Sequence, residues 1–182
     1  MPDDLRQFLD LFLQDIAEQA DGIASGHVSV DDWQKQMAQS LLVFHYASYQ
    51  SGRNTRDLAP GERGRVNEQV GEQLDYLNRF AAELDQRGWQ DKDAARAALY
   101  AGSIKPAYWR GKTYPYELPA YPGDGSTPCL VNCHCSVEIQ EIDPEELSAD
   151  VYWRLGAVEH CSKCVERSQQ WSPLRFRGGE LV

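Results

Sequence analysis

At 182 residues with a formal net charge of -10, the chain is an acidic protein of one domain, or of a domain plus a subdomain. The acidity argues against non-specific wrapping of nucleic acid, where Lys and Arg must neutralise phosphates, and no run approaches the ~18 apolar residues of a membrane span. Met1-Pro-Asp-Asp-Leu5 is acidic, whereas a secretory signal begins basic and turns apolar, so a reducing cytosol is the expected setting.

Leu5, Phe8, Leu9, Phe12, Leu13 and Ile16 recur with the helical period and predict a first helix over residues 3–24. Asp3 or Asp4 suits its start, and Gly22 and Gly26 its end. Ser29 and Asp32 have capping-box spacing and open a second helix, from Val30 to about Gln50. Trp33, Met37, Leu41 and Phe44 form its inner face, and Leu42, Val43, Tyr46 and Tyr49 widen the apolar surface. Such a helix is central in its bundle or meets a partner. His45, set among these groups, reads as a core or boundary histidine.

Residues 51–64 hold three Gly and one Pro and read as a connecting loop. Arg53, Arg56 and Arg63, with Arg65 just beyond, make it the most basic stretch: a solvated loop, or a contact to an acidic partner or DNA. A third helix is expected from Arg65 to Arg87, lined by Val66, Val70, Leu74, Leu77, Ala81 and Leu84, with Phe80 beside them and Gly88 as its stop. A fourth is expected from Asp93 to about Arg110, on a face of small residues: Ala94, Ala95, Ala98, Leu99 and Gly102. Pro106 should kink that segment or start a separate turn.

Composition changes at Gly111. Residues 111–128 hold four Pro, three Gly and three Tyr, an extended arm too rich in Pro for a helix. Ser136–Ile142 and Val151–Leu155 read as two strands of a hairpin, and residues 162–171 as a short helix. The tail from Phe176 shows no strong pattern. The expected fold is mainly α. An antiparallel helical bundle fills residues 1–110, and a Pro/Gly-rich arm and a small irregular, β-hairpin module follow over 111–182.

All five cysteines lie in that module, as Cys129, Cys133 and Cys135 in one knuckle and Cys161 and Cys164 in a second. The spacing is C-x3-C-x-C, then 25 residues, then C-x2-C. Grouped thiols serve a structural metal or a pair of disulfides, and a reducing setting favours the metal. Two knuckles at the open end of a hairpin fit a structural Zn2+ site formed by Cys129, either Cys133 or Cys135, Cys161 and Cys164. His134 and His160 flank the knuckles and could substitute. A closed four-thiolate shell leaves no open position for water, so metal catalysis is not expected.

Other chemistry finds little support. G-x-G-x-x-G, Walker, H-E-x-x-H and G-x-S-x-G motifs do not occur. Cys161-x2-Cys164 lacks the βαβ surroundings of a thiol oxidoreductase. The module has only scattered cations, Arg154, Lys163, Arg167, Arg175 and Arg177, among several acids.

The run Leu118-Pro-Ala-Tyr-Pro-Gly-Asp-Gly-Ser-Thr-Pro-Cys-Leu-Val-Asn-Cys-His-Cys135, with Trp153-Arg-Leu-Gly-x-x-Glu-His-Cys-x-x-Cys164, resembles the cysteine region of tailed-phage minor head proteins, the Mu F-like head morphogenesis group. Upstream, Val30-x-x-Trp33-Gln-x-x-Met37, Gln73-Leu-x-Tyr-Leu-x-x-Phe80-Ala and Ala95-x-Ala-x-x-Tyr100-Ala-Gly are similar too, so the resemblance covers most of the chain. In many members the W-x-L-G…C-x-x-C element precedes N-C-x-C, and here it follows.

The resemblance implies a non-enzymatic virion protein, low in copy number. It would associate with the portal or other capsid proteins, or with itself, in head assembly or DNA packaging. Its location would be the phage head, and the host cytoplasm during assembly. The alternative is a small zinc-stabilised binding or regulatory module that contacts nucleic acid or a host protein.

Overall fold

A computed structural model describes the whole chain, Met1–Val182. Helix α1 (Asp3–Ala24) buries Leu5, Leu9, Phe12, Ile16, Ala20 and Ile23, one stripe at three- and four-residue steps. Leu13 lies on its outer side and is exposed, contrary to the sequence reading, because the buried stripe is narrower than the apolar one. No side chain caps α1. Its N-cap is Pro2, and Asp4 instead accepts hydrogen bonds from the Ser51 hydroxyl (2.6 Å) and the Tyr108 hydroxyl (3.2 Å).

Helix α2 (Val30–Arg53) is capped as predicted, with the Ser29 Oγ accepting from the Asp32 N–H at 3.1 Å. It is the central helix and packs against α1, α3 (Pro60–Arg87) and α5 (Ile104–Thr113). Of the groups that widen its apolar surface, Tyr49 is buried and Tyr46 half-buried, whereas Leu42 and Val43 are exposed. His45 is a buried core residue whose Nδ1 lies 2.8 Å from the Leu41 carbonyl, and burial lowers its pKa to about 4.

The predicted loop shrinks to Asn54–Ala59, because α2 runs on to Arg53 and α3 begins at Pro60. Pro at the first helical position sacrifices no hydrogen bond, and Glu62 accepts the Ala59 N–H at 3.0 Å. Three of the arginines of this stretch are tied to neighbouring groups at the surface. Arg53 pairs with Glu62 and covers the Tyr114 ring, Arg63 donates to the Leu58 carbonyl, and Arg65 pairs with Glu117. Arg56 remains exposed.

The expected fourth helix is broken into α4 (Asp91–Ala98), a 3-10 turn (Leu99–Ser103) and α5. Asp93, Ala97, Tyr100, Ala101 and Ile104 go inside at helical spacing, whereas Ala94, Ala95 and Leu99 are exposed; Asp93 is accepted inside because it pairs with Arg87 at 2.7 Å. Pro106 falls in the first turn of α5, where it is tolerated. A Cβ on Gly52 would overlap the Tyr108 carbonyl, and one on Gly111 the Tyr49 carbonyl. The backbones of α2 and α5 therefore touch across two glycines.

After the arm come a 3-10 turn (Leu130–Asn132), β1 (Ser136–Asp143), β2 (Ser148–Arg154), α6 (Ser162–Gln170), β3 (Leu174–Arg177) and β4 (Glu180–Leu181). The strands form one antiparallel sheet in the order β1-β2-β3-β4. Ser136 pairs with Arg154, which brings the two cysteine knuckles together as the hairpin reading required. The tail, expected to be patternless, supplies β3 and β4, joined by Gly178 and Gly179, both at positive φ. One apolar cluster of 31 buried residues runs from Leu5 in α1 to Phe176 in β3, so the sheet and the helices share a core.

Candidate metal centre

Each cysteine has a local reason for its place. Cys129 ends the arm and precedes the 3-10 turn, and Cys133 follows that turn. Cys161 is the N-cap residue of α6 and Cys164 lies in its first turn, where the Cys164 N–H donates to the Cys161 carbonyl at 3.1 Å. A helix N-terminus favours negative charge and so favours thiolates. Gly156 lets the exit of β2 press on the first knuckle, since a Cβ there would lie 2.5 Å from the His134 carbonyl oxygen.

The sulfurs of the two knuckles meet. Cys129 and Cys164 are 3.6 Å apart, Cys133 and Cys164 3.8 Å, and Cys129 and Cys161 3.8 Å. These values lie far outside an S–S bond of about 2.05 Å, and all five thiols are free. They match the edge of a tetrahedron of thiolates around zinc, which for Zn–S bonds of ~2.3 Å is about 3.8 Å. Two overlapping sets, Cys129/Cys161/Cys164 and Cys133/Cys135/Cys164, are close enough to hold a metal ion, and Cys164 belongs to both.

The donor chemistry fits a cation. Hydrogen bonding from Cys135 draws the Cys133 thiol down to about 5 against the opposing effect of burial. Burial also opposes ionisation of Cys161, but its bonds to Cys164 and Cys129 leave it lowered. Cys129 and Cys164 are pushed up, first by burial. Thiols this crowded cannot all ionise unaided. A cation among them would let several ionise together.

Lys105 supplies a further test. It is only 8% exposed, and its Nζ donates to the carbonyls of Val131 (2.6 Å) and Cys133 (3.3 Å). No carboxylate lies within salt-bridge reach of it. Burial lowers its pKa, while the Cys133 and Cys129 thiolates favour its charge. A buried ammonium needs an anion nearby, and Cys133, whose pKa is lowered, is the thiol of the first knuckle suited to be that anion.

Cys135, the fifth thiol, is built differently. His160 Nε2 lies 3.0 Å from the Gly156 carbonyl, which can only accept, so Nε2 carries the proton. His160 Nδ1 is then an acceptor, and the Cys135 sulfur is 3.6 Å from it. The hydrogen bond to Cys133 and burial both raise the Cys135 pKa and keep it a thiol. The buried Trp153 indole N–H, which has no partner of good geometry, is directed to the same sulfur. His134 is exposed and belongs to neither thiol set, and its carbonyl and Cβ meet the Gly156 position.

Sequence reasoning brought the five cysteines together correctly but missed Lys105, which lies 24 residues before the first of them. Its only signal was a Lys beside Ile104 and Pro106 in an apolar helix turn. The chain matches no protein-family model, no curated protein and no solved structure.

Proposed function

We propose that the chain is a non-enzymatic structural protein of a tailed-phage or prophage head, stapled by one zinc ion. Four thiolates, from Cys129, Cys133, Cys161 and Cys164, hold the ion, while Cys135 stays outside the shell as a protonated thiol. The observation that carries the zinc reading is the spacing of three sulfur pairs, Cys129–Cys164, Cys133–Cys164 and Cys129–Cys161, at 3.6–3.8 Å, with Cys164 common to both three-thiol sets. Zinc(II) has no redox chemistry of its own. When bound, it would add folding free energy where the two knuckles meet.

The phage reading rests on the N-C-x-C and E-H-C-x-x-C runs, Asn132–Cys135 and Glu159–Cys164, and on the helical matches upstream of them. The partners would be the portal and other capsid proteins, and the location the assembled head, reached from the host cytoplasm. A closed metal shell with no open position suits a building block better than a catalyst.

Two measurements test the two parts separately. Protein purified under reducing conditions should contain about one zinc per chain, with four thiols shielded until denaturation. Two disulfides and no zinc would overturn the staple. Co-expression with the phage's portal should give a co-purifying complex. Failure to associate with portal or capsid proteins, and absence from purified heads, would overturn the virion role.

A further inference from the structure

A groove of 730 Å³ lies where the knuckle docks on the helices. Helix α3 forms one side with Gln69, Tyr76 and Arg79, and the segment from α4 into the 3-10 turn forms the other with Arg96 and Leu99. The turn between the first two cysteines closes it through Leu130 and Val131. No cysteine lines this groove; its link to the thiols is the turn Leu130–Asn132.

Three features point to an occupant. Gln69 is 7% exposed, yet its Oε1 has no hydrogen-bond donor. Buried amide oxygens are normally satisfied, so this one is set to accept from a ligand. Second, the charge of the groove runs against that of the chain, with Arg79, Arg96 and Arg110 facing Glu72 and Asp124 in a protein of net charge -10. Asp124 is already engaged by the N–H groups of Tyr121 and Ser126. Arg96 is committed to Glu83. Arg79 donates only to the Asp75 carbonyl of its own helix, Arg110 stacks on Tyr121, and neither has a carboxylate partner. Third, Tyr76, Leu99 and Leu130 are 57%, 52% and 55% exposed along the rim. Leu130 stands at φ +47, a conformation costly for a branched side chain and frequent at ligand clamps.

We propose that the groove binds an extended acidic–apolar peptide segment of a partner protein. In an extended chain, alternate side chains point to opposite sides. One set places carboxylates on Arg79 and Arg110, the other lays apolar groups on Tyr76, Leu99 and Leu130, and a main-chain N–H reaches Gln69 Oε1. A simple anion would leave the apolar rim uncovered. The binding does not depend on the chain being a head protein.

The test uses isotope-labelled full-length protein, titrated with the peptide acetyl-Leu-Asp-Leu-Glu-Leu-Asp-amide, its Lys-for-acid counterpart, sodium acetate and a single-stranded oligonucleotide. Expected are saturable NMR shifts at the Gln69 side-chain amide and the Arg79 and Arg110 Nε–H groups, for the acidic peptide alone. The doubly substituted R79Q/R110Q protein should bind about tenfold more weakly or worse, with helical content and metal content unchanged. No saturable binding, equal binding of the basic peptide, preference for the oligonucleotide, or shifts that map elsewhere would each overturn the proposal. If the double variant does not fold, the location of the shifts on the native protein decides between these outcomes.

Discussion

The Lys105 ammonium, carried on the first turn of α5, donates to the Val131 carbonyl at 2.6 Å, inside the turn that separates Cys129 from Cys133. One side chain from the helical body thus holds the backbone of the first knuckle. It also sets a positive charge beside a cluster that gains negative charge when it takes up metal. Lys105→Met should keep the packing of the stem and remove both roles. Metal affinity, measured by competition with a chromogenic chelator, should fall about 10–100-fold, the range for lost outer-shell partners. An unchanged affinity would show that Lys105 serves packing alone.

The cysteines should separate into two classes. Ser at Cys129, Cys133, Cys161 or Cys164 should lower metal content well below one per chain and destabilise the sheet, because each removes one of four thiolates. Ser at Cys135 should keep full metal, since that sulfur is turned toward His160 and Trp153. Metal analysis of the five purified variants checks the assignment, and loss of metal in Cys135→Ser would mean that the shell is drawn from the other overlapping set.

A glycine of the helix crossing and one of a free helix face should respond oppositely to the same change. Ala at Gly111 meets the Tyr49 carbonyl and must push α5 off α2, at a cost of about 3 kcal/mol or more. Ala at Gly71, in the middle of α3 with open space around its Cβ position, should stabilise by about 0.5–1 kcal/mol. Urea unfolding of both variants, followed by far-ultraviolet circular dichroism, gives the signs.

Acid should act through His45. Its folded-state pKa is lowered to about 4, below the usual 6.5, because it is buried. The unfolded chain therefore binds a proton more readily between these values. The stability contributed by neutral His45 is complete above pH 6.5 and is lost as pH falls toward 4, to a total of about 3 kcal/mol. Thiolate protonation also releases metal in acid, so the informative quantity is a difference. Between pH 7 and pH 4.5, native protein should lose more stability than His45→Gln, and parallel losses in the two would remove His45 as a determinant.

Most of the helical half was legible because its apolar residues keep a helical period that tertiary packing left intact. The second helix announced its central position through Tyr49, but Leu42 and Val43, read with it, are exposed. Where reading failed, the local signal pointed two ways. Ala59-Pro60-Gly-Glu62 holds loop-forming residues, yet Pro60 and Glu62 sit at the two positions where such residues begin a helix. The face of α4 was misplaced because the buried side carries a carboxylate, Asp93, satisfied by Arg87 from the preceding helix, and the apolar pattern pointed to the opposite side. The Gly178-Gly179 pair was a hairpin signal in plain view, but strands as short as β3 and β4 show too little alternation to support it. At the metal centre, spacing reveals which cysteines meet. It cannot reveal Lys105, whose role exists only once α5 and the knuckle are side by side.

The turn Leu130–Asn132 belongs to two structures at once. Its ends are Cys129 and Cys133, and its outer surface is a wall of the groove beside α3. Val131 also seals it to the helices, at a place where Gly102 leaves no room for a side chain. Metal affinity and groove affinity therefore share one conformational equilibrium, that of the turn. Reciprocity then requires that any groove ligand preferring the metal-ordered turn tightens the metal by the same factor by which the metal tightens the ligand.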